Sequence, residues 1–146
     1  MTIRADLIPR VVVKLQGLFG VGSVHDRNIS AEKSSANETL GVFTPAHEIV
    51  AEASCKNQVA VELKIRYFGP SKASAQEHYK KLQVIEDLME KFVAEEIENP
   101  SGSNYTTIDI EPAQIETNDE EDLDRIDSII TFIVRYEYLR GQANVK

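Results

Sequence analysis

The sequence predicts an α+β fold, with one mainly antiparallel sheet and helices packed on one of its faces. Three stretches lead to this prediction. Asn57–Phe68 alternates apolar and polar residues, Ser74–Ile97 repeats apolar residues at helical spacing, and Ser128–Leu139 is a long strand-like run rich in β-branched and aromatic residues. The order of helix, hairpin, helix and two further strands then places the helices on the apolar side of one sheet.

Asn57–Phe68 is the clearest strand in the sequence. Side chains alternate between the two faces of a strand, so this segment has one apolar and one polar face. The apolar face carries Val59, Val61, Leu63, Ile65 and Tyr67, and the polar face carries Gln58, Glu62, Lys64 and Arg66, with Ala60 the one small apolar residue among them. The apolar face requires a cover.

A long helix following Gly69-Pro70 is the nearest cover. Ser74 and Glu77 have the spacing of a capping box, which predicts the start of the helix. Its apolar face is predicted to comprise Tyr79, Leu82, Ile85, Leu88, Met89, Phe92, Val93 and Ile97. We therefore expect Leu82, Ile85, Leu88, Met89 and Phe92 to pack on the strand, and His78 to lie on the exposed side.

Thr2–Phe19 also reads as an amphipathic helix, which we expect to begin near Leu7 because Pro9 is tolerated in a first turn. Glu48–Ser54 reads as a strand that turns through residues 55–58 into the next.

The two last strands are predicted at Tyr105–Glu111 and Ser128–Leu139. In the former, Ile108 and Ile110 are predicted to share one side. The latter is apolar on both faces in its first half, which indicates a strand covered twice or central in the sheet.

At 146 residues the chain is predicted to form a single domain, 1–146, with a long flexible loop at about 21–46. That loop is polar and has no sustained period. Val24, Ile29, Leu40, Val42 and Phe43 could still make short strand or docking contacts there.

Composition excludes several classes of function. The formal net charge is −8, whereas proteins that wrap nucleic acid need a clustered basic surface. Cys55 is the one cysteine, so no internal disulfide forms. The charged start of the chain and the lack of a long apolar run predict a cytosolic protein without a membrane segment.

The motif search predicts no catalytic, cofactor-binding or metal-binding residues. His25, His47 and His78 are far apart and have no metal-ligand spacing. Nothing near Cys55 would activate a thiolate, and no glycine-rich phosphate loop is present. We therefore predict that the chain is not an enzyme and takes no cofactor.

An acidic segment precedes the last strand. It comprises Glu116, Asp119, Glu120, Glu121, Asp122 and Asp124. It lacks the register and central glycine of a calcium loop, and it lacks the apolar pocket that would separate the pKa values of a catalytic pair. It is either a solvated turn or an acidic tip that faces a lumen or a partner.

The order of these elements, with VELKIRYFGP ending the hairpin and FIVRYEYLRG ending the chain's last strand, resembles the tail terminator (tail completion) proteins of tailed bacteriophages. The resemblance covers most of the chain, except that the 21–46 loop has no counterpart. It implies a virion protein without catalytic residues, assembled in the host cytoplasm. Such proteins form a ring, typically a hexamer, that stops the tail tube, joins it to the head connector and lets DNA pass. The six acidic residues would then line the lumen or rim. The alternative is a dimeric soluble α+β module that binds a small ligand between sheet and helices.

Overall fold

The computed structural model describes residues 3–29, 38–44, 49–52, 56–70, 72, 74–98, 105–118 and 125–139. Within these ranges the helices are α1 (Ile3–Phe19) and α2 (Ala75–Glu98), with a 3₁₀ turn at Val21–Ser23. The strands are β1 (Val24–His25), β2 (Thr39–Phe43), β3 (Ile49–Glu52), β4 (Lys56–Phe68), β5 (Tyr105–Ile110), β6 (Gln114–Asn118) and β7 (Asp127–Leu139).

The strands of the described chain form one sheet in the order β1-β2-β4-β7-β5. β3 pairs with β4 beside the early half of that strand, and β6 pairs with β7 beside its early half. The β1–β2 pair is parallel and the others are antiparallel. The predicted α+β class and the mainly antiparallel sheet are confirmed.

The centre of the sheet is the β4–β7 pair. All 13 residues of β4 are in register with β7, from Lys56 opposite Leu139 to Phe68 opposite Asp127. Both strands run without a bulge, so each keeps the same side chains on the same face along its length.

The core lies between one face of this pair and the two helices. Leu63 and Ile65 of β4 are fully buried, as are Ile130 and Val134 of β7. Buried helix residues complete the same cluster: Leu7, Val11, Leu15, Phe19, Leu82, Ile85, Met89, Phe92 and Val93. The predicted packing of the apolar β4 face on α2 is therefore confirmed, although Leu88 is only partly buried at its margin.

At the start of α2, the cap is as predicted, but the side chains that face the core differ from the prediction. The Glu77 backbone N–H donates to Ser74 Oγ over 3.2 Å, which is the hydrogen bond that an N-cap serine accepts. However, His78 is buried and Tyr79 is 52% exposed, so the expected positions of these two side chains were wrong. His78 is tolerated inside because Ser128 provides a hydrogen-bond partner for its ring. Ile97, at the other end, is also exposed.

α1 begins at Ile3, not near Leu7, and Pro9 lies inside it. Pro9 is exposed, while Leu7 and Val11 on either side of it are fully buried. The packing of these neighbours offsets the backbone hydrogen bond that proline cannot make. Leu18, near the end of α1, is 56% exposed.

β6 was not predicted, whereas β1 and β2 contain Val24, Leu40, Val42 and Phe43, for which short strand contacts were considered. β1 and β2 fall within the predicted 21–46 loop, and Leu40 and Val42 of β2 are fully buried. Residues 30–37 and 45–46 of that loop lie outside the described residues, so its flexibility remains a prediction. Residues 56–58, expected in a turn, belong to β4, while Cys55 lies outside the described residues.

β5 contains a β-bulge that the alternating pattern did not reveal. The register with β7 shifts between Thr107 and Asp109, so Ile108 has no partner and is 36% exposed. Thr107 is buried and Ile110 packs against the core. The prediction that Ile108 and Ile110 share a side was wrong, because a bulge adds one residue and reverses the alternation.

The packing model makes a quantitative prediction. Leu63→Ala should lower the free energy of unfolding by about 2–5 kcal/mol, because it opens a cavity in a closely packed core. Glu62→Ala, the neighbouring residue on the other face, is the matched control and should change it by less than about 0.5 kcal/mol. Equilibrium denaturation measures both, and equal small effects at the two positions would contradict the packing.

Candidate functional site

Neither α1 nor α2 covers the second face of the β4–β7 pair, which we call the open face. It carries Ala60, Glu62, Lys64 and Arg66 of β4, and Ile129, Thr131, Ile133, Arg135 and Glu137 of β7, all half-buried. The start of β7 was expected to be either covered on both faces or central in the sheet. It is central, because β7 lies between β4 and the edge strands. It is not fully covered on both faces, since Ile129 and Ile133 stay partly accessible. Ile129 and Ile133 of β7 lie directly opposite Arg66 and Glu62 of β4, so the face mixes half-buried apolar side chains with charges of both signs. Such a mixed surface is compatible with a protein contact.

Arg66 organises one end of the open face. Its Nη2 lies 2.6 Å from Asp127 Oδ2 and its Nε 3.1 Å from Asp127 Oδ1, which is a bidentate ion pair between β4 and β7. Arg66 Nη1 also donates to the Ile29 carbonyl over 3.1 Å. The bond to Asp127 is the main reason that the pKa of Arg66 is raised. One side chain thus ties together two strands and the segment after β1.

That segment crosses the open face above β2. A Cβ on Gly41 would overlap the Arg27 carbonyl oxygen and stand 2.8 Å from Ile29 Cγ1. Ile29 is accordingly buried, although it lies outside the two layers of helices and sheet. Gly41 is therefore a glycine because the backbone of another segment approaches it closely.

Phe68 closes the same end of the sheet. Its ring is buried and contacts two guanidinium groups, with Arg66 Cζ 4.6 Å and Arg125 Cζ 5.4 Å from the ring centroid. Arg125 Nε donates to the Gly69 carbonyl over 2.8 Å, which attaches the start of β7 to the end of β4.

The far end of the open face is held by Arg135. It forms ion pairs with Asp109 over 3.0 Å and with Glu111. Asp109 lies in β5, and Glu111 directly follows it. These partly exposed pairs contribute little energy individually, but they fix where β5 ends.

A row of hydrogen-bonded polar side chains runs from α2 along the core face of the sheet to β6. His78 Nε2 lies 2.7 Å from Ser128 Oγ, and Ser128 Oγ lies 2.9 Å from Thr117 Oγ1. His78 and Ser128 are each 1% exposed. The His78 ring also packs against Tyr67, with centroids 5.1 Å apart. These hydrogen bonds connect the first turn of α2 to the edge strand β6.

The pKa of Tyr67, at the same end of the sheet, is strongly shifted. Burial, followed by the hydrogen bond that its hydroxyl donates to Glu38 over 2.9 Å, raises the pKa of Tyr67. The phenol therefore remains neutral and acts as a donor, which fixes Glu38 at the entry to β2.

A groove of about 510 Å³ lies between the outer sides of α1 and α2. Leu18, Val84, Leu88 and Phe92 provide its apolar lining, with Gly17 leaving space beside them. Lys14, Asp87, Lys91 and Glu95 surround the apolar part. The groove is outside the core, not between the sheet and the helices.

Of the six residues of the predicted acidic segment, Glu116 alone lies within the described part of the chain. Glu116 is exposed on β6, opposite Ile129, and borders a depression of about 220 Å³ with Asp127. Asp119, Glu120, Glu121, Asp122 and Asp124 lie outside the described residues. Their assignment to a lumen or rim remains a prediction.

The remaining predicted positions do not converge. His25 is half-buried on β1 and His47 lies outside the described residues. Among the described residues, no three or more His, Cys, Asp or Glu side chains are placed to hold a metal ion. No helix of the described chain is long and apolar enough to cross a membrane.

Sequence reasoning missed Arg66, Asp127 and Ser128 as structural centres. A usable signal was present in the two long alternating strands: aligning Phe68 with Asp127 places Arg66 diagonally across from Asp127. The alignment itself depends on the sheet and was not determined by either strand alone.

Comparisons with known proteins give one informative result. No protein-family model and no curated protein matches the chain. Among solved structures, the chain is similar to a chain of the "Virion of native gene transfer agent (GTA) particle", with a TM-score of 0.64 and 13% sequence identity. The similarity covers 94% of this chain and 99% of that one. At this identity it shows a shared fold.

The close approach at Gly41 is testable with a matched pair of glycine variants. Gly41→Ala should lower the free energy of unfolding by about 1–3 kcal/mol, since the added methyl group displaces the crossing segment. Gly17→Ala meets nothing within 4 Å and should raise it by roughly 0.5–1 kcal/mol, as alanine favours a helix. Thermal or urea denaturation compares them, and a neutral Gly41→Ala would contradict the crossing.

Proposed function

We propose that this chain is a structural protein of a phage-like virion, and more specifically a tail-terminator-like subunit. In this role it forms a ring, of six copies in the tail terminator family that it resembles, which stops the tail tube and joins it to the head connector. The observation that supports the virion role most is the match to a gene transfer agent virion chain over nearly the whole of both chains. The role requires no chemistry, in agreement with the motif search.

The distribution of surfaces suits a ring subunit. The open face carries half-buried Ile129 and Ile133 beside charged side chains, and the α1–α2 groove lies on the other side of the molecule with exposed Leu18 and Val84. Surfaces on opposite sides favour head-to-tail contacts, which close into a ring when the rotation between copies permits it. A monomer has no need of either surface.

The acidic segment is proposed to face the DNA channel or the rim of the ring. Crowded carboxylates are tolerated where water and counterions screen them, and a lumen meets that condition. There they would also repel phosphate, so that DNA passes without binding. Exposed Glu116 on the sheet edge is consistent with a segment directed to solvent.

The second candidate is a dimeric module that binds a small ligand. The groove between α1 and α2 favours it, since a volume of about 510 Å³ with an apolar lining suits a ligand. The space between sheet and helices, where such a ligand was first expected, is filled by buried side chains. The ring therefore remains the preferred proposal.

Tube termination tests the proposed role. Adding this chain to its cognate tail-tube protein during assembly should yield tubes capped at one end that grow no further. Electron microscopy of tube length with and without the chain is the measurement. Tubes that continue to lengthen in excess chain, with the chain remaining monomeric, would remove the terminator role.

The acidic segment has its own test. Replacing Asp119, Glu120, Glu121 and Asp122 with Lys should leave the stability nearly unchanged, because the segment is proposed to be exposed. The particles should then retain DNA in a manner that weakens with salt, since lysines neutralise phosphates. A quadruple change of the same residues to Asn or Gln is the control for lost acidity. Normal DNA ejection by the Lys variant would identify an ordinary solvated turn.

A further inference from the structure

Two charged side chains lie in the middle of the open face. Glu62 and Lys64 are two residues apart on the same side of β4, and both are half-buried. The arginines at the two ends of this face, Arg66 and Arg135, have carboxylate partners, whereas within the described residues neither Glu62 nor Lys64 forms an ion pair. A surface that brings an opposite charge to each of them would therefore be selected over other surfaces.

The α1–α2 groove presents a second pair of charges. Asp87 and Lys91 are one turn apart on the outer side of α2, and both are exposed. Asp87 accepts a hydrogen bond from the Gln83 side chain over 2.9 Å. Lys91 forms no ion pair with any carboxylate of the described chain. Val84 and Leu88 provide apolar surface on the same helix.

The two pairs of charges have nearly the same spacing. Asp87 and Lys91 are about 6 Å apart along the helix axis, since an α-helix rises about 1.5 Å per residue. Glu62 and Lys64 are about 6.6 Å apart along β4, since a strand rises about 3.3 Å per residue. A helix that lies antiparallel on β4 would therefore place Lys91 on Glu62 and Asp87 on Lys64.

The same alignment matches the neighbours of both pairs. One turn beyond Lys91, Glu95 would reach Arg135 of β7, which has the opposite charge. In the other direction, Val84 would reach Ile129, a half-buried apolar side chain of β7. A helix that ran the other way would bring like charges together, which is costly at an interface. The order of charges therefore specifies one direction of packing.

We propose that the α1–α2 groove of one copy packs on the open face of the next copy, with α2 antiparallel to β4. This inference rests on the proposed ring and names the contact between its subunits. The groove and the open face lie on opposite sides of the same chain, so a copy cannot fill its own groove with its own open face. Every further copy supplies the matching surface, and such head-to-tail contacts repeat until the ring closes.

Reversal of charges tests the contact. Glu62→Lys and Lys91→Glu each bring like charges together, so each variant alone should need about a tenfold or greater concentration to assemble. The double variant Glu62→Lys, Lys91→Glu restores opposite charges and should regain assembly. An equimolar mixture of the two single variants should also regain it, because each chain then meets its complement on the other. Analytical ultracentrifugation measures the assembled mass against the 16.4 kDa of one chain.

Lys80→Glu is the matched control, because Lys80 is exposed on α2 and does not line the groove. It changes the net charge as Lys91→Glu does and should leave assembly unchanged. Urea denaturation checks that each variant is folded, and if Glu62→Lys lowers the stability, Asp87→Lys with Lys64→Glu repeats the test on the second pair. Assembly that is lost in the single variants and regained by neither the double variant nor the mixture would overturn the proposal.

The outcomes separate this contact from the ring itself. Rings that form equally well from the wild type and from both single variants would contradict the contact and leave the proposed ring intact. Lys91→Glu rings that assemble but no longer bind tail tubes would assign the groove to the tube protein and overturn the contact. A wild-type chain that stays monomeric, alone and with tail tubes, would contradict both the contact and the ring.

Discussion

The pairing of β4 with β7 is the constraint on which the rest of the structure depends. The 13 registered residues of β4 come from a hairpin strand, and those of β7 end the described chain, so the pair joins distant parts of the sequence. It sets which side chains meet the helices and which remain on the open face. Arg66 with Asp127, and Arg125 with the Gly69 carbonyl, secure the end of the pair at which Phe68 lies opposite Asp127. A one-residue slip would place Glu62 and Lys64 in the core, which is why the register is strongly specified.

The two faces of the β4–β7 pair have different neighbours. One face is fully used by α1, α2 and the buried cluster. The other keeps charges of both signs beside half-buried Ile129 and Ile133, and residues 26–29 cross it at one end. Such a domain has more associating surface than folding requires, and the edge at β6 adds a strand with little buried area. These features support the proposed place of the chain in an assembly, and the fold itself is shared with a virion chain.

The sequence predicted the elements that carry strong periodicity. β4, β7, α2 and the fold class follow from alternation and helical spacing, because each of these segments has one face that must be buried. β6 was missed, and β1 and β2 were anticipated only as short contacts within a loop, since these strands are two or five residues long and gain their stability from neighbours. His78 was misplaced because a single polar residue can be buried once Ser128 pairs with it. The acidic segment was recognised by composition, whereas its surroundings depend on contacts that no local pattern specifies.

The most direct test of the central claim is an image of the assembled protein. Electron microscopy of the purified chain, alone and at the ends of its cognate tail tubes, reports whether the copies close into a ring. The account predicts a closed ring with one repeating contact between neighbouring copies and an open channel along its axis. Isolated monomers at every concentration and on every tube end, or symmetric dimers facing each other across a two-fold axis, would contradict it.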